Sequence, residues 1–443
     1  MLAFEEVRRA GGSVPVGRRS GPKGAFEPLF AERVRRARGS AKKDLSAARA
    51  KPGLISLAGG HPDTSIFEEE TLERAAFAFV RDGATALQYG PSAGTGAMRE
   101  VAVEVMSAEG TPARTSDVFA TNGAQQGLEL MGRVFLDEGD VVLTEAPTFF
   151  GALGAFGAYG PRVVPVPVDG WGMRVEEARR AAGRARAEGY RVKFVYTIPN
   201  FHNPTGTTMT AERRRELLEL AREHGFMILE DNPYGMLRFD GEAPPNIAAL
   251  EDGEPERVVY LGTFSKVFAP GVRLGWMHAH PDVLEKVRQA KKGADLGPSS
   301  LSQVITVSYF QSGEWWGYLE RLRQTYRERR NATLDALSEF MPEGVSWTRP
   351  EGGFFVWVTL PEGLDAAALV PEATERGVVY VPGADFYPGE PENDRLRLSY
   401  SFADPDGIRR GVRLLAAVIE EAMGRAGAVP VSLAEPGAAG RAG

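Results

Sequence analysis

The sequence predicts an α/β fold: a large domain on a mainly parallel mixed sheet with flanking helices, joined to a smaller α+β domain. Three observations carry this. Short, nearly continuous apolar runs alternate with amphipathic stretches through the middle of the chain. Runs of that kind mark strands buried on both faces, and their alternation with helices builds a parallel sheet. A long charged helix over residues 314–340 then leads away to EGGFFVWVTL (351–360) and RLRLSYS (395–401), which read as strands of the second unit.

Each element has its own signal. VVLTEAP (141–147), FVYTIP (194–199), FMILED (226–231) and VVYLG (258–262) are the buried strands. In ERRRELLELAREHG (212–225), Leu217, Leu220 and Ala221 share one helical face, and Gly225 supplies the stop. Residues 1–25 are rich in Gly, Arg and Ser and are expected to be mobile; residues 426–443 are expected to form a disordered tail. Between these ends we expect an arm over 26–70, a large domain over 71–313 and a small domain over 314–425.

With 443 residues the chain is too long for one simple core. Its 52 basic and 59 acidic residues leave a net charge of −7, which argues against a general nucleic-acid binder. The absence of cysteine excludes disulfides, thiolate metal sites and a cysteine nucleophile, and fits a cytoplasmic protein. No run of eighteen apolar residues predicts a membrane span, and MLAFEEVRRAGG lacks the apolar core of a signal peptide.

Ligands of open α/β sheets sit at the carboxyl ends of the strands. The polar residues of this chain gather at those ends: NFHNPTG with Asn203, DNPYG with Asp231 and Tyr234, TFSK with Lys266. TNGAQQG adds a Gly-rich turn at a helix start, a ready anion site, and Arg273 follows seven residues after Lys266. Each has a plain alternative. Asn-Pro-Thr-Gly is an ordinary turn, Asp231 could cap a helix or form a turn, Lys266 could lie at the surface, and Arg273 could be an ion-pair partner. Their shared position favours a joint role. A lysine beside a cation, a buried carboxylate, a phenol and an anion site together suit pyridoxal 5′-phosphate, with its aldehyde, ring nitrogen, phenolic oxygen and phosphate.

The ordered series LQYGPSAGTGAMRE, TNGAQQG, NPTG, DNPYG, GTFSKVFAPGVRLGW and RLRLSYS resembles the fold-type I, class I/II pyridoxal-phosphate aminotransferases, over roughly residues 26–425. ISLAGGHPD and the basic N-terminal arm are similar to the 2-aminoadipate and kynurenine aminotransferase group. The resemblance implies a small domain built from N- and C-terminal segments. It implies that Lys266 bonds covalently to the coenzyme and acts as base, that Asp231 pairs with the ring nitrogen, and that Asn203 and Tyr234 bind the phenolic oxygen. Phe149 would stack on the ring, losing the hydroxyl of the tyrosine often found there. The phosphate would rest on the Gly123–Ala124–Gln125 turn, with Thr263, Ser265 and Arg273 completing the cup. Tyr89 would reach the active site of a neighbouring subunit, implying a homodimer with shared sites. Arg397 would grip the substrate α-carboxylate, Gly60 would line the substrate pocket, and Lys43 stands where an arginine on the arm can meet a distal carboxylate. No metal is implied.

The implied reaction moves an amino group between an L-amino acid and a 2-oxo acid by a ping-pong route. 2-Oxoglutarate and glutamate are the expected pair on one side; 2-aminoadipate, an aromatic or a branched-chain amino acid is expected on the other. A dinucleotide dehydrogenase is disfavoured because no strand–GxGxxG–helix unit is present, and a P-loop hydrolase because GxxxxGK[ST] is absent. A ligand-sensing regulator with an aminotransferase-like domain is the non-enzymatic rival. About 25 residues before the matching region are too few for a helix-turn-helix domain. A pyridoxal-phosphate lyase or decarboxylase is the rival on the same fold.

Overall fold

The computed structural model describes residues 26–36, 53–67, 69–251 and 253–427. Residues 1–25, residues 37–52 of the arm including Lys43, residues 68 and 252, and the tail from residue 428 lie outside the described residues.

The first strand, β1 (Ile55–Ser56), stands apart from the large sheet. The next eight form that sheet: β2 (Val118–Thr121), β3 (Val141–Ala146), β4 (Arg162–Asp169), β5 (Gly172–Met173), β6 (Val192–Thr197), β7 (Met227–Asp231), β8 (Val258–Thr263) and β9 (Gly275–His278). Their spatial order is β2-β9-β8-β7-β6-β3-β4-β5. β4, β3, β6, β7 and β8 run parallel, whereas β9 is antiparallel to both its neighbours and β5 to β4. The expected mainly parallel mixed sheet is therefore observed. The four apolar runs become β3, β6, β7 and β8, side by side, so their carboxyl ends share one edge.

Burial explains the composition of these strands. Apolar side chains cover both sheet faces: Val195, Ile228 and Tyr260 belong to one core, and Leu229, Leu261 and Tyr196 to the other. The helix Ala211–His224 lies against the first face through buried Leu217, Leu220 and Ala221. Thr210 caps its start by accepting from the Arg213 N–H at 3.4 Å, and Gly225 ends it at φ 75°, a left-handed conformation suited to glycine.

The second unit follows the helix Trp315–Phe340. Its strands are β10 (Ser346–Trp347), β11 (Phe355–Thr359), β12 (Val378–Val379), β13 (Val381–Pro382) and β14 (Arg395–Ser399). Four of them form an antiparallel sheet in the order β10-β11-β14-β13, while β12 pairs in parallel with β1. The segment before the large sheet thus packs with the segment after it. The Ser399 N–H donates to the Leu57 carbonyl at 2.7 Å, and Ser401 Oγ donates to the His61 carbonyl at 2.7 Å. These bonds fix the loop 57–61 beside β14, where both meet the carboxyl edge of the large sheet. No helix among the described residues is long and apolar enough to cross a membrane.

Candidate active site

β7 ends on Asp231, which is buried. Its Oδ2 accepts from the Tyr196 phenol at 2.9 Å. Its Oδ1 is buried and has no hydrogen-bond partner. Burial pushes this carboxyl up to about 7; the Tyr196 hydroxyl pulls the other way, and the nearby Glu145 charge adds to the rise. A buried carboxylate in that condition has one oxygen reserved for a cation.

β8 leads through Phe264 and Ser265 to Lys266. The ammonium donates to the Gly60 carbonyl at 2.9 Å and lies 5.5 Å from the centre of the Phe354 ring. Burial, and then the Arg397 and Arg273 charges, bring the lysine down to about 8. An amine with that proton affinity is partly neutral near pH 7, as a nucleophile must be.

β2 passes through Thr121 to Gly123, which has φ 77° and opens the helix Ala124–Phe135. A Cβ on Gly123 would come within 3.1 Å of Arg273 Nη2, so the turn and the guanidinium share one small space. Thr263 Oγ1 lies 3.0 Å from Ser265 Oγ and accepts from the Ser265 N–H at 3.1 Å. The helix start offers free N–H groups to the same space, and with Arg273 they make an anion cup.

Arg397 reaches the cavity from β14. Nη1 donates to Asn203 Oδ1 at 2.8 Å and Nη2 to the Ala58 carbonyl at 2.7 Å. Nε is buried without a partner. The guanidinium lies between two phenyl rings, 4.1 Å from the Phe355 centroid and 4.9 Å from that of Phe386. Burial brings it down to about 10, so it stays charged. Tyr234 packs edge-on against Phe354 and Phe355, and burial holds its phenol well above the usual range.

These side chains line one cavity of about 300 Å³. Lys266, Asp231, Asn203, Tyr234, Ala124, Gln125, Phe149, Thr263, Ser265, Arg273, Arg397 and Gly60 are all in its wall. Gly123 adjoins it through Arg273. Tyr89 is not in the wall: it is 86% exposed on the chain's surface. Lys43 lies outside the described residues. Sequence reading missed His61, Leu128, Phe150, Pro233 and Phe355 in the wall, and Tyr196 and Phe386 against Asp231 and Arg397. Tyr196 was hidden inside an apolar strand; Phe150, Phe355 and Phe386 are aromatics that core packing explains as readily as a site. The signal available for Tyr196 was chemical, since a buried phenol needs a hydrogen-bond partner.

The donor set fits pyridoxal 5′-phosphate: an amine of lowered proton affinity for the aldehyde, an unpartnered carboxylate oxygen for the ring nitrogen, and an anion cup for the phosphate. The family model for aminotransferase class I and II matches residues 52–415. The aromatic-amino-acid aminotransferase 1 of Thermococcus litoralis is 42% identical over 400 residues, covering 90% of this chain and 95% of that protein. The 2-aminoadipate transaminase of Thermus thermophilus is 39% identical over 394 residues, covering 88% and 96%. A solved kynurenine aminotransferase from Pyrococcus horikoshii, in complex with PMP, superposes with a TM-score of 0.86 at 40% identity, covering 90% of this chain and 99% of that one.

Proposed function

The chain belongs to the class I and II aminotransferases, and from that membership we propose the roles of its side chains and the substrates they fit. It is a pyridoxal-phosphate-dependent aminotransferase. When bound, the coenzyme supplies an aldehyde for amine exchange and a ring that takes up electrons from the substrate Cα.

Lys266 holds the coenzyme and, once displaced, takes the proton from Cα. Asp231 keeps a proton on the ring nitrogen through Oδ1. Asn203 accepts from Arg397 through its oxygen, which leaves its amide N–H groups to donate to the phenolic oxygen beside Tyr234. Ala124, Gln125, Thr263, Ser265 and Arg273 hold the phosphate, and Phe149 covers the ring. Arg397 binds the α-carboxylate with the N–H groups that Asn203 and Ala58 leave over. The observation that carries this reading is the unpartnered Asp231 Oδ1 in the same cavity wall as Lys266.

The rest of the wall supports an aromatic amino acid on one side of a ping-pong exchange, with 2-oxoglutarate and glutamate on the other. Phe149, Phe150, Phe355, Leu128 and Pro233 present apolar surface, and among the described residues the lysine and arginines in the wall are the three already given roles. 2-Aminoadipate or a branched-chain donor is the alternative, with Lys43 the candidate for a distal carboxylate. We also propose a homodimer. Phe77, Val80, Leu87 and Tyr89 are each more than 70% exposed, and they lie on or just after two helices, Glu69–Arg81 and Gly83–Ala86, that pack on a third, Ser300–Gln311. Exposed apolar side chains gathered in this way favour burial against a second copy. Comparing kcat/KM for phenylalanine, tyrosine, 2-aminoadipate and leucine with 2-oxoglutarate tests the substrate reading. A marked preference for 2-aminoadipate would refute the aromatic choice, and intersecting rather than parallel double-reciprocal lines would refute the ping-pong order.

A further inference from the structure

We propose that Tyr196 is a positioning residue for Asp231: its hydroxyl occupies Oδ2 and thereby dedicates Oδ1 to the coenzyme's ring nitrogen. The inference rests on the coenzyme reading above and adds a residue that the reading does not use.

The register of the sheet sets up the contact. Tyr196 on β6 lies opposite Leu229 on β7, and Asp231 is two residues beyond Leu229. Side chains two apart on a strand share a face, so the Tyr196 ring and the Asp231 carboxylate project to the same side. The phenol spans the remaining rise and donates at 2.9 Å. Its ring is fully buried, set edge-on against Phe156 with centroids 5.6 Å apart, and cannot swing away without opening the core. Burial and the Asp231 charge hold the phenol protonated, so it acts as a donor.

No other group in this neighbourhood does the same work. Glu145 on β3 is the second charge near Asp231, but its oxygens already accept from Thr197 Oγ1 at 2.8 Å and the Ile198 N–H at 2.9 Å, with His202 Nε2 3.1 Å away. Tyr234 faces Asp231 from beyond the strand end, and no bond joins them. A carboxylate is symmetric and can rotate. Anchoring one oxygen removes that freedom and turns the other toward the cavity. The same bond draws charge from the carboxylate and lowers its appetite for a proton, so the shared proton stays on the ring nitrogen.

The test is a two-by-two set of variants read by coenzyme binding. Tyr196→Phe keeps the ring and removes one donor. Titrating coenzyme-free protein with pyridoxal 5′-phosphate should show a dissociation constant raised about tenfold or more, the factor carried by a hydrogen bond to a charged group. The pH at which the visible band of the bound coenzyme interconverts should move upward, because a less positive ring draws less charge from the linkage to Lys266. KM for the amino donor should stay within about twofold while kcat falls, since Arg397 is untouched. Asp231→Asn supplies the second variant. With Tyr196 donating to the amide oxygen, its NH₂ must face the ring nitrogen, so the coenzyme should be held with that nitrogen unprotonated. Adding Tyr196→Phe to Asp231→Asn should then change affinity by less than about twofold. An equal loss in both backgrounds would show that Tyr196 acts through packing, and would overturn the proposal. So would a Tyr196→Phe protein with wild-type affinity and an unmoved pH transition. A wild type that takes up no coenzyme would sink this inference together with the coenzyme reading.

Discussion

Replacing Arg397 should separate substrate binding from coenzyme binding. Two of its five N–H groups are engaged, by Asn203 at 2.8 Å and Ala58 at 2.7 Å, and the rest are available to a carboxylate. A bidentate grip makes two charge-assisted bonds, each worth about 1.5–3 kcal/mol. Removing both in Arg397→Ala should therefore cost about 3–6 kcal/mol, or roughly a hundredfold to ten-thousandfold in kcat/KM. Arg397→Lys keeps a charge near the same place but loses the planar fork, and should cost one bond, about tenfold to a hundredfold. It also preserves most of the repulsion that lowers the proton affinity of Lys266, so it is the cleaner variant. The assay is single-turnover conversion of the coenzyme band by an amino donor, run beside a titration of coenzyme affinity. Coenzyme affinity of the lysine variant should change by less than about threefold. Truncation to alanine additionally strands Asn203 Oδ1 and the Ala58 carbonyl, at about 1–3 kcal/mol each, which should lower the thermal midpoint of the coenzyme-free protein. Equal losses of substrate and coenzyme affinity in Arg397→Lys would refute the assignment.

Lys266→Ala should abolish the visible band and let gel filtration strip the coenzyme, as read by absorbance of the eluted protein. With Lys266 brought down to about 8 from 10.5, about a tenth of it is neutral at pH 7, against roughly three parts in ten thousand for an ordinary lysine. The rate of coenzyme capture should accordingly rise with pH and level off above about 8, and stopped-flow traces that keep rising to pH 10 would contradict this. Gly206 sits at φ 72°, where a Cβ would come within 2.4 Å of the Phe355 carbonyl. Gly206→Ala should cost at least about 1–2 kcal/mol from the backbone alone. By displacing the ring beneath Arg397 it should also raise KM, which calorimetry and steady-state kinetics check together.

The sequence announced the parts of this protein that depend on local pattern. The four apolar runs became the adjacent parallel strands β3, β6, β7 and β8, and the helical face carrying Leu217, Leu220 and Ala221 became a buried helix face. Because parallel strands place their carboxyl ends together, the polar residues after those runs converge on one cavity. Contacts that depend on register were not legible. Tyr196 reads as one more apolar strand residue until β6 and β7 are aligned, when it meets Asp231. Phe355 and Phe386 come from separate segments of the second unit and flank Arg397 only once the strands of that unit are paired. The Gly60 carbonyl that receives Lys266 is some two hundred positions away, and its place is set by the bonds from β14 and from Ser401 just beyond it to the loop 57–61. Tyr89 shows the remaining limit: within one chain it is exposed and stands outside the cavity wall, so neither its motif nor the fold of a single chain gives it a contact there.

One titration bears most directly on the central claim. Purified protein mixed with one equivalent of pyridoxal 5′-phosphate should develop a visible band, lose it on addition of an aromatic amino acid, and regain it with 2-oxoglutarate. A protein that develops the band but never cycles between the two substrates would contradict the aminotransferase assignment, and one that develops no band would contradict the site itself.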